Sequence, residues 1–205
     1  HDLLVCLGGE VLRMSVHNAV DAVPEGMPIV QISERDWELG KNHPTEIAIR
    51  ADIGETLRAL NAWLRARMTA AQKQAAKQRL AGLAGANWSA KHARACEESL
   101  GLAQSRPIEP KFLMMQLAAA LPEDAVLVEE ALSTSFPLPA FLRQRDRQGF
   151  YGLASGGIGF AIAGAIGISI ALPQRPVVAL VGDGSAMYGI QALWTAAHLA
   201  LPITY

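Results

Sequence analysis

The sequence contains only two cysteines among its 205 residues, and neither lies in a CxxC or cysteine–histidine metal motif. This scarcity argues against a disulfide scaffold and against a cysteine-based zinc site. Cys6 and Cys96 are therefore predicted to be free thiols in a reducing compartment, and we expect a cytoplasmic protein.

A strong net charge is also missing, since 18 basic residues are balanced by 19 acidic residues. The formal net charge of −1 argues against electrostatic binding of nucleic acid or of an anionic membrane surface. With 51% hydrophobic and 18% charged residues, the composition is typical of a globular chain rather than a disordered or collagen-like one.

Charged residues are rarest toward the C-terminus, where Arg175 and Asp183 are the only ones after Arg147. The uncharged stretch 148–174 is long enough to be considered as a transmembrane helix. Its seven glycines disfavour a continuous helix. A helix buried in an α/β core explains the same composition, so we expect a core helix over Ile158–Leu172 and no membrane partner.

Short apolar runs alternate with helical patterns along the chain, which predicts an α/β fold with parallel strands. Strands are expected at residues 3–7, 28–33, 46–50, 125–128 and 177–181. The segments define a Rossmann-like sheet in residues 1–67, a helical linker in 68–105 and a second α/β block in 106–205. The first residues lead into a strand and the last resemble the start of one, so we expect a fragment of a longer protein.

The most informative motif is Gly182-Asp183-Gly184-Ser185, which follows the apolar strand Val177–Val181 and precedes a helix. Asp183 is thus expected at the carboxyl end of a buried strand, where open α/β sheets bind ligands. The N–H groups of Gly184 and Ser185 would open the helix and favour anionic oxygens. On spacing alone, helix capping by Asp183 is the alternative explanation.

A glycine-rich loop, Ser155-Gly156-Gly157-Ile158-Gly159-Phe160, precedes the predicted core helix. It lacks the third glycine of the dinucleotide fingerprint and no apolar strand directly precedes it, which disfavours a nicotinamide site. A loop that lets a flat cofactor approach the backbone fits better. A hydroxyl cluster, Ser133-Thr134-Ser135, follows the strand at 125–128, and Pro137 and Pro139 interrupt the helix expected after it.

The Gly-Asp-Gly-Ser motif, its strand and the Gly-Gly-Ile-Gly-Phe loop resemble the diphosphate-binding domain of thiamine-diphosphate-dependent enzymes. The run Gly-Asp-Gly-Ser-Ala-Met-Tyr, followed by Ala-Leu-Trp-Thr-Ala-Ala, is most similar to the benzoylformate decarboxylase branch, and acetolactate synthases come next. The resemblance implies a parallel-sheet, three-layer architecture. Part of a Rossmann-like middle domain would join the N-terminal half of the diphosphate-binding domain, and the family's pyrimidine-binding domain would be absent from this chain.

The resemblance also implies a ligand set for thiamine diphosphate and Mg²⁺. Asp183 would ligate Mg²⁺, and Gly184 and Ser185 would donate to diphosphate oxygens. The carbonyl of Gly156 would accept from the aminopyrimidine, and Ile158 would hold the cofactor bent. The complete set of cofactor-binding positions is Leu132, Ser133, Gly156, Gly157, Ile158, Asp183, Gly184 and Ser185. Core packing is the alternative role for Leu132 and for Ile158.

The resemblance implies non-oxidative decarboxylation of a small-molecule 2-keto acid of the benzoylformate type by a homodimer or homotetramer. Acetolactate-type carboligation and a non-catalytic α/β binding module remain alternatives. The family's activating glutamate and the other Mg²⁺ ligands would lie outside this chain, so no catalytic residue is assigned and the chain alone is expected to be inactive. His17 is expected to be a loop histidine, and His198 a structural one.

Overall fold

The structure is a computed structural model that describes residues 2–9, 11, 19–143, 146–153 and 156–205. The chain divides into two compact units, His1–Arg79 and Leu80–Tyr205. The division falls inside a helix, within the region that the sequence predicts to be a helical linker.

The first unit is built on a parallel sheet. Its strands, in sheet order, are β1 (Leu4–Leu7), β2 (Ile29–Ser33) and β3 (Ile47–Arg50). The central strand β2 is the most buried, as its flanked position requires. Helices α1 (Ile53–Arg67) and α2 (Ala70–Gly82) follow, and the Asp52 carboxylate caps α1 by accepting the Glu55 N–H at 2.7 Å.

A buried glutamate organises the loop after β2. Glu38 lies in a short 3₁₀ helix, Asp36–Glu38, and is buried. Its carboxylate accepts the Ser33 hydroxyl and the Arg35 guanidinium, each at 3.1 Å. These bonds satisfy the buried carboxylate within the first unit.

The second unit contains a four-stranded parallel sheet with strand order β5-β4-β6-β7 among the described residues. Its strands are β4 (Val126–Glu130), β5 (Phe150–Gly152), β6 (Val177–Val181) and β7 (Ile203–Thr204). Its helices are α3 (Trp88–Leu100), α4 (Pro110–Ala120), α5 (Phe160–Ala171), α6 (Asp183–Met187) and α7 (Ala192–His198). The short strand β5 was not expected from the sequence.

The central strand β4 separates two apolar layers because its side chains alternate between the faces of the sheet. Leu127 packs with Met114 and Met115 of α4 and with Phe141. On the opposite face, Val126 and Val128 pack with residues of α5. Helices therefore cover both faces, which confirms the predicted parallel-sheet, three-layer α/β architecture.

Helix α5 confirms the expected core helix and begins two residues later than predicted. It packs against β4 and β6, with Ala161, Ile162 and Ala165 buried. In the described part of the chain, none of the helices combines the length and apolar character that crossing a bilayer requires.

Two helical expectations need correction. The segment after β6 is two short helices, α6 and α7, rather than one. Helical spacing predicts that Phe112, Met115 and Ala119 form the buried face of α4, but Met114 and Met115 are the buried residues and Ala119 is exposed. Pro137 and Pro139 do interrupt the helix expected after the hydroxyl cluster, where only the 3₁₀ turn Leu138–Ala140 forms.

Candidate functional site

The carboxyl ends of β4 and β6 lie side by side, because the two strands are parallel neighbours. Strand β4 leads into the loop 131–135, and β6 leads into the Gly-Asp-Gly-Ser motif. The N–H of Gly182 donates to the carbonyl of Glu130 at 3.1 Å. Two of the three segments that carry predicted site residues are thus joined at the edge where parallel sheets bind ligands.

The third segment, the glycine-rich loop, is linked to the end of β4 by the side chain of Glu130. Glu130 is only 1% exposed. Its carboxylate accepts the Gly159 N–H at 2.7 Å and the Ala161 N–H at 2.6 Å. These are orphan donors of the first turn of α5, so Glu130 satisfies and caps that helix while fixing the end of the loop.

The glycine-rich loop also interlocks with the segment after α6. Gly159 has φ +94, a left-handed conformation that favours glycine. A Cβ at Gly159 would lie 3.1 Å from the Tyr188 Cβ, and one at Gly189 would lie 2.8 Å from the Ile162 Cγ2. The two segments therefore lie so close together that a side chain at Gly159 or at Gly189 would displace its neighbours.

Asp183 is exposed and is the first residue of α6, directly after β6. The helix cap is Gly182, and no side chain of the described residues caps this helix. The alternative explanation of Asp183 as an N-cap is therefore wrong. The N–H groups of Gly184 and Ser185 belong to the first turn, where the helix provides no acceptor.

Leu132 and Ser133 lie in the loop that follows β4. Leu132 has φ +46 and its side chain is 64% exposed, so its alternative role as a core leucine is wrong. Ser133 is also exposed. Ser135 anchors this loop, because its hydroxyl proton lies within reach of two acceptors, the Glu129 carboxylate and the Leu132 carbonyl.

The residues of the glycine-rich loop are open on their outer side. A Cβ at Gly156, which has φ +76, or at Gly157 would meet no atom of the described residues within 4 Å. Ile158 is half exposed just before α5, so core packing does not explain it. An apolar side chain beside two open glycines leaves room for a flat group against the backbone.

Among the described residues, no cluster of three or more histidine, cysteine, aspartate or glutamate side chains could hold a metal ion. Asp183 therefore belongs to no such cluster. His198 is exposed and stacks on Trp194, with ring centroids 4.8 Å apart. His17 lies outside the described residues. Both cysteines are free, and burial raises the pKa of the Cys6 thiol.

Glu130 was missed from the sequence, where the strand was expected to end at Val128. The sequence signals the burial of Glu130 but not its partners, since a strand that extends by two residues turns Glu130 to the same face as Val126 and Val128. That face is fully buried in β4. A carboxylate there needs internal hydrogen-bond partners, and the nearest free donors are at a helix N-terminus.

The donor set around this edge suits a diphosphate bound with a divalent cation. Asp183 offers carboxylate oxygens of the kind that Mg²⁺ prefers, and Mg²⁺ usually combines one or two carboxylates with phosphate and water oxygens. First-turn N–H groups and the lack of side chains at Gly182 and Gly184 suit phosphate oxygens. The residues present therefore fit a diphosphate bound with a divalent cation.

Part of the second unit matches a known protein family. Residues 137–205 match the family of thiamine pyrophosphate enzyme C-terminal TPP binding domains. Benzoylformate decarboxylase of Pseudomonas aeruginosa is 30% identical over 205 residues, which are 100% of this chain and 35% of that protein. Acetolactate synthase isozyme 1 large subunit of Escherichia coli is 26% identical over 98% of this chain and 34% of its own length.

The chain is also similar to a solved structure of a thiamine diphosphate-dependent enzyme. The thiamine diphosphate-dependent 4-hydroxybenzoylformate decarboxylase of Rhodococcus jostii RHA1 has a TM-score of 0.68 and 26% identity. The match covers 99% of this chain and 34% of that structure's chain. The chain thus spans about a third of the length of the relatives that it matches.

The fold and the matched segment define a TPP-binding enzyme domain. The chain is related to benzoylformate decarboxylases and acetolactate synthases, and its residues 137–205 carry the match to the TPP-binding domain.

Proposed function

We propose that the whole protein decarboxylates a 2-keto acid of the benzoylformate type, without oxidation, using thiamine diphosphate and Mg²⁺. The observation that carries the proposal is the exposed Asp183 at the carboxyl end of β6, beside open glycines, in a chain of this family. This chain would supply the diphosphate and metal part of the site.

The roles of the diphosphate side follow from the donors present. Asp183 would ligate Mg²⁺, and its lack of a side-chain hydrogen bond within the described residues leaves both oxygens available. The N–H groups of Gly184 and Ser185 would donate to phosphate oxygens. Ser133 would add a hydroxyl from the neighbouring loop, and Leu132, turned outward, would contribute its backbone.

The glycine-rich loop would bind the aminopyrimidine end of the cofactor. The Gly156 carbonyl would accept from its aminopyrimidine, and Gly157 would leave space for the ring. The half-exposed Ile158 side chain would pack under the cofactor and hold it bent. Bound thiamine diphosphate supplies an electron sink for cleavage of the bond to the carboxylate carbon.

An apolar surface supports a homodimer or homotetramer as the assembly. Exposed apolar side chains succeed one another along the end of the described chain, and we call them the α6–α7 patch: Met187, Tyr188, Ile190, Leu193 and Trp194. Exposed apolar clusters of this kind mark interaction sites. A second copy of the protein is the occupant that we propose.

Isothermal titration of the whole protein with thiamine diphosphate tests the cofactor assignment. We expect binding heat that requires Mg²⁺ and disappears when a chelator is added. A titration without heat, or with heat that is indifferent to chelator, would favour a non-catalytic module that keeps the α/β core.

Acetolactate-type carboligation is the second candidate, since an acetolactate synthase matches nearly the whole chain at 26% identity. Product analysis with benzoylformate and with pyruvate separates the two reactions. Release of benzaldehyde and CO₂ from benzoylformate supports the decarboxylase. Acetolactate from pyruvate, with benzoylformate left unchanged, supports the carboligase.

A further inference from the structure

Glu130 is a buried carboxylate with no role in the chemistry proposed above, although it contacts two of the three loops that carry the site. Its two oxygens hold the Gly159 and Ala161 N–H groups, and its carbonyl holds the Gly182 N–H. Side chain and backbone of one residue therefore join the glycine-rich loop to the segment that begins the Gly-Asp-Gly-Ser motif.

We propose that Glu130 is a positioning residue that holds the Gly156–Ile158 loop against the Asp183 loop in the conformation that binds the cofactor. The inference rests on the proposed function and assigns a residue outside its ligand set. Glu130 acts on the backbone of this chain, through its hydrogen bond to the Gly159 N–H.

Both carboxylate oxygens are needed for this role. Each accepts one N–H at 2.7 Å or less, so a carboxamide of the same size could accept only one of them. Its NH₂ group would face the other N–H, donor against donor, in a site closed to water. The loop end would then move away from the motif, whereas the β4–β6 ladder would remain.

Tyr188 limits how the loop can respond from the other side. The Glu130 carboxylate holds the Gly159 N–H, and a Cβ at Gly159 would lie 3.1 Å from the Tyr188 Cβ, which is tighter than an ordinary contact. Gly159→Ala should displace the same backbone from the side of Tyr188. The substitution is therefore a second way to disturb the loop that does not change Glu130.

The first test is amide hydrogen exchange of the whole protein without cofactor. We expect the Gly159 and Ala161 N–H groups to be protected in the wild type, and to exchange at least about tenfold faster in Glu130→Gln. Exchange of these two groups at the rate of free peptide in the wild type would overturn the inference, whatever the variants do.

The second test is the dissociation constant of thiamine diphosphate at saturating Mg²⁺. We expect Glu130→Gln to bind about tenfold more weakly, and Glu130→Asp, which keeps the charge but is shorter, to fall between it and the wild type. The control is Glu38→Gln, which makes the same change at a buried, hydrogen-bonded glutamate of the first unit. It should lower thermal stability and leave the dissociation constant unchanged.

A double-mutant cycle closes the argument. If Glu130 and Gly159 hold one loop, the losses of affinity in Glu130→Gln and Gly159→Ala should not add in the double variant. A Glu130→Gln protein that is less stable but binds the cofactor as tightly as wild type would overturn the inference. If Glu130→Gln does not fold, Glu130→Asp carries the same test. Absence of binding by the wild type would instead contradict the proposed function.

Discussion

Asp183 is the residue on which the proposed metal site depends. It is exposed at the start of α6 and makes no side-chain hydrogen bond within the described residues, so removing its carboxylate should leave the fold intact. We expect Asp183→Ala to abolish Mg²⁺-dependent activity of the whole protein, with unchanged far-UV circular dichroism. Retained activity would show that the ligand assignment is wrong.

Arg175, just before β6, and Asp146, before β5, form an ion pair, with Nη2 and Oδ2 3.0 Å apart. The Arg175 hydrogen bond and the Gln148 N–H hold the pKa of Asp146 below its usual range. Because the folded state lowers this pKa, the pair stabilises the fold above the ordinary aspartate pKa of about 3.9, and this stability is lost as pH falls further.

Asp146→Asn should therefore lower the urea midpoint at pH 7, and the difference from wild type should shrink below about pH 4. Urea unfolding at pH 7 and pH 3 measures this difference. Glu97→Gln, at an exposed position of α3, is the control and should have little effect at either pH. A difference between Asp146→Asn and wild type that is equal at both pH values would contradict the linkage.

At the scale of elements, α4 shows how burial differs between adjacent residues of one helix. Met114 is completely buried against the sheet, whereas Leu113 is exposed. We expect Met114→Ala to lower the free energy of unfolding by about 2–5 kcal/mol. Leu113→Ala should cost less than about 1 kcal/mol. Equal losses in chemical denaturation of the two variants would mean that α4 packs through a different face.

The strands were predictable from sequence because apolar runs such as Val177–Val181 are short, rich in valine and bounded by glycine and proline, which favours a buried strand over a helix. Strand β5 was not, since Phe150–Gly152 is short and contains glycine, and its pairing with β4 is decided by tertiary contacts. The break between α6 and α7 was missed for a related reason. Gly189 fits there because Ile162 and the Gly159 backbone lie against it.

The candidate site was predictable only in part. Loop residues after strands, such as Asp183 and Ser133, could be located from the pattern of strand, glycine and helix. The role of Glu130 could not, because its partners Gly159 and Ala161 are about thirty residues away along the chain. A hydrogen bond between such distant segments depends on which strands are neighbours.

At the scale of the whole molecule, the chain spans about a third of its relatives, and the proposal assigns one carboxylate, Asp183, to Mg²⁺. The 205-residue chain alone should therefore bind thiamine diphosphate weakly and give no turnover. Assays of the purified chain and of the whole protein, at equal concentration with Mg²⁺ and benzoylformate, measure the difference. Decarboxylation by the chain alone would contradict this prediction.

The α6–α7 patch has a consequence for assembly, because Trp194 is 69% exposed and stacks only on His198 among the rings of the described residues. If a second copy covers it, Trp194→Glu places a charge in an apolar contact and should weaken self-association at least about tenfold. Sedimentation velocity of the whole protein over a range of concentrations measures this. Trp63→Glu changes an exposed tryptophan of α1 in the first unit and should leave the distribution of species unchanged. Identical sedimentation of Trp194→Glu and wild type would exclude the patch as the contact between copies.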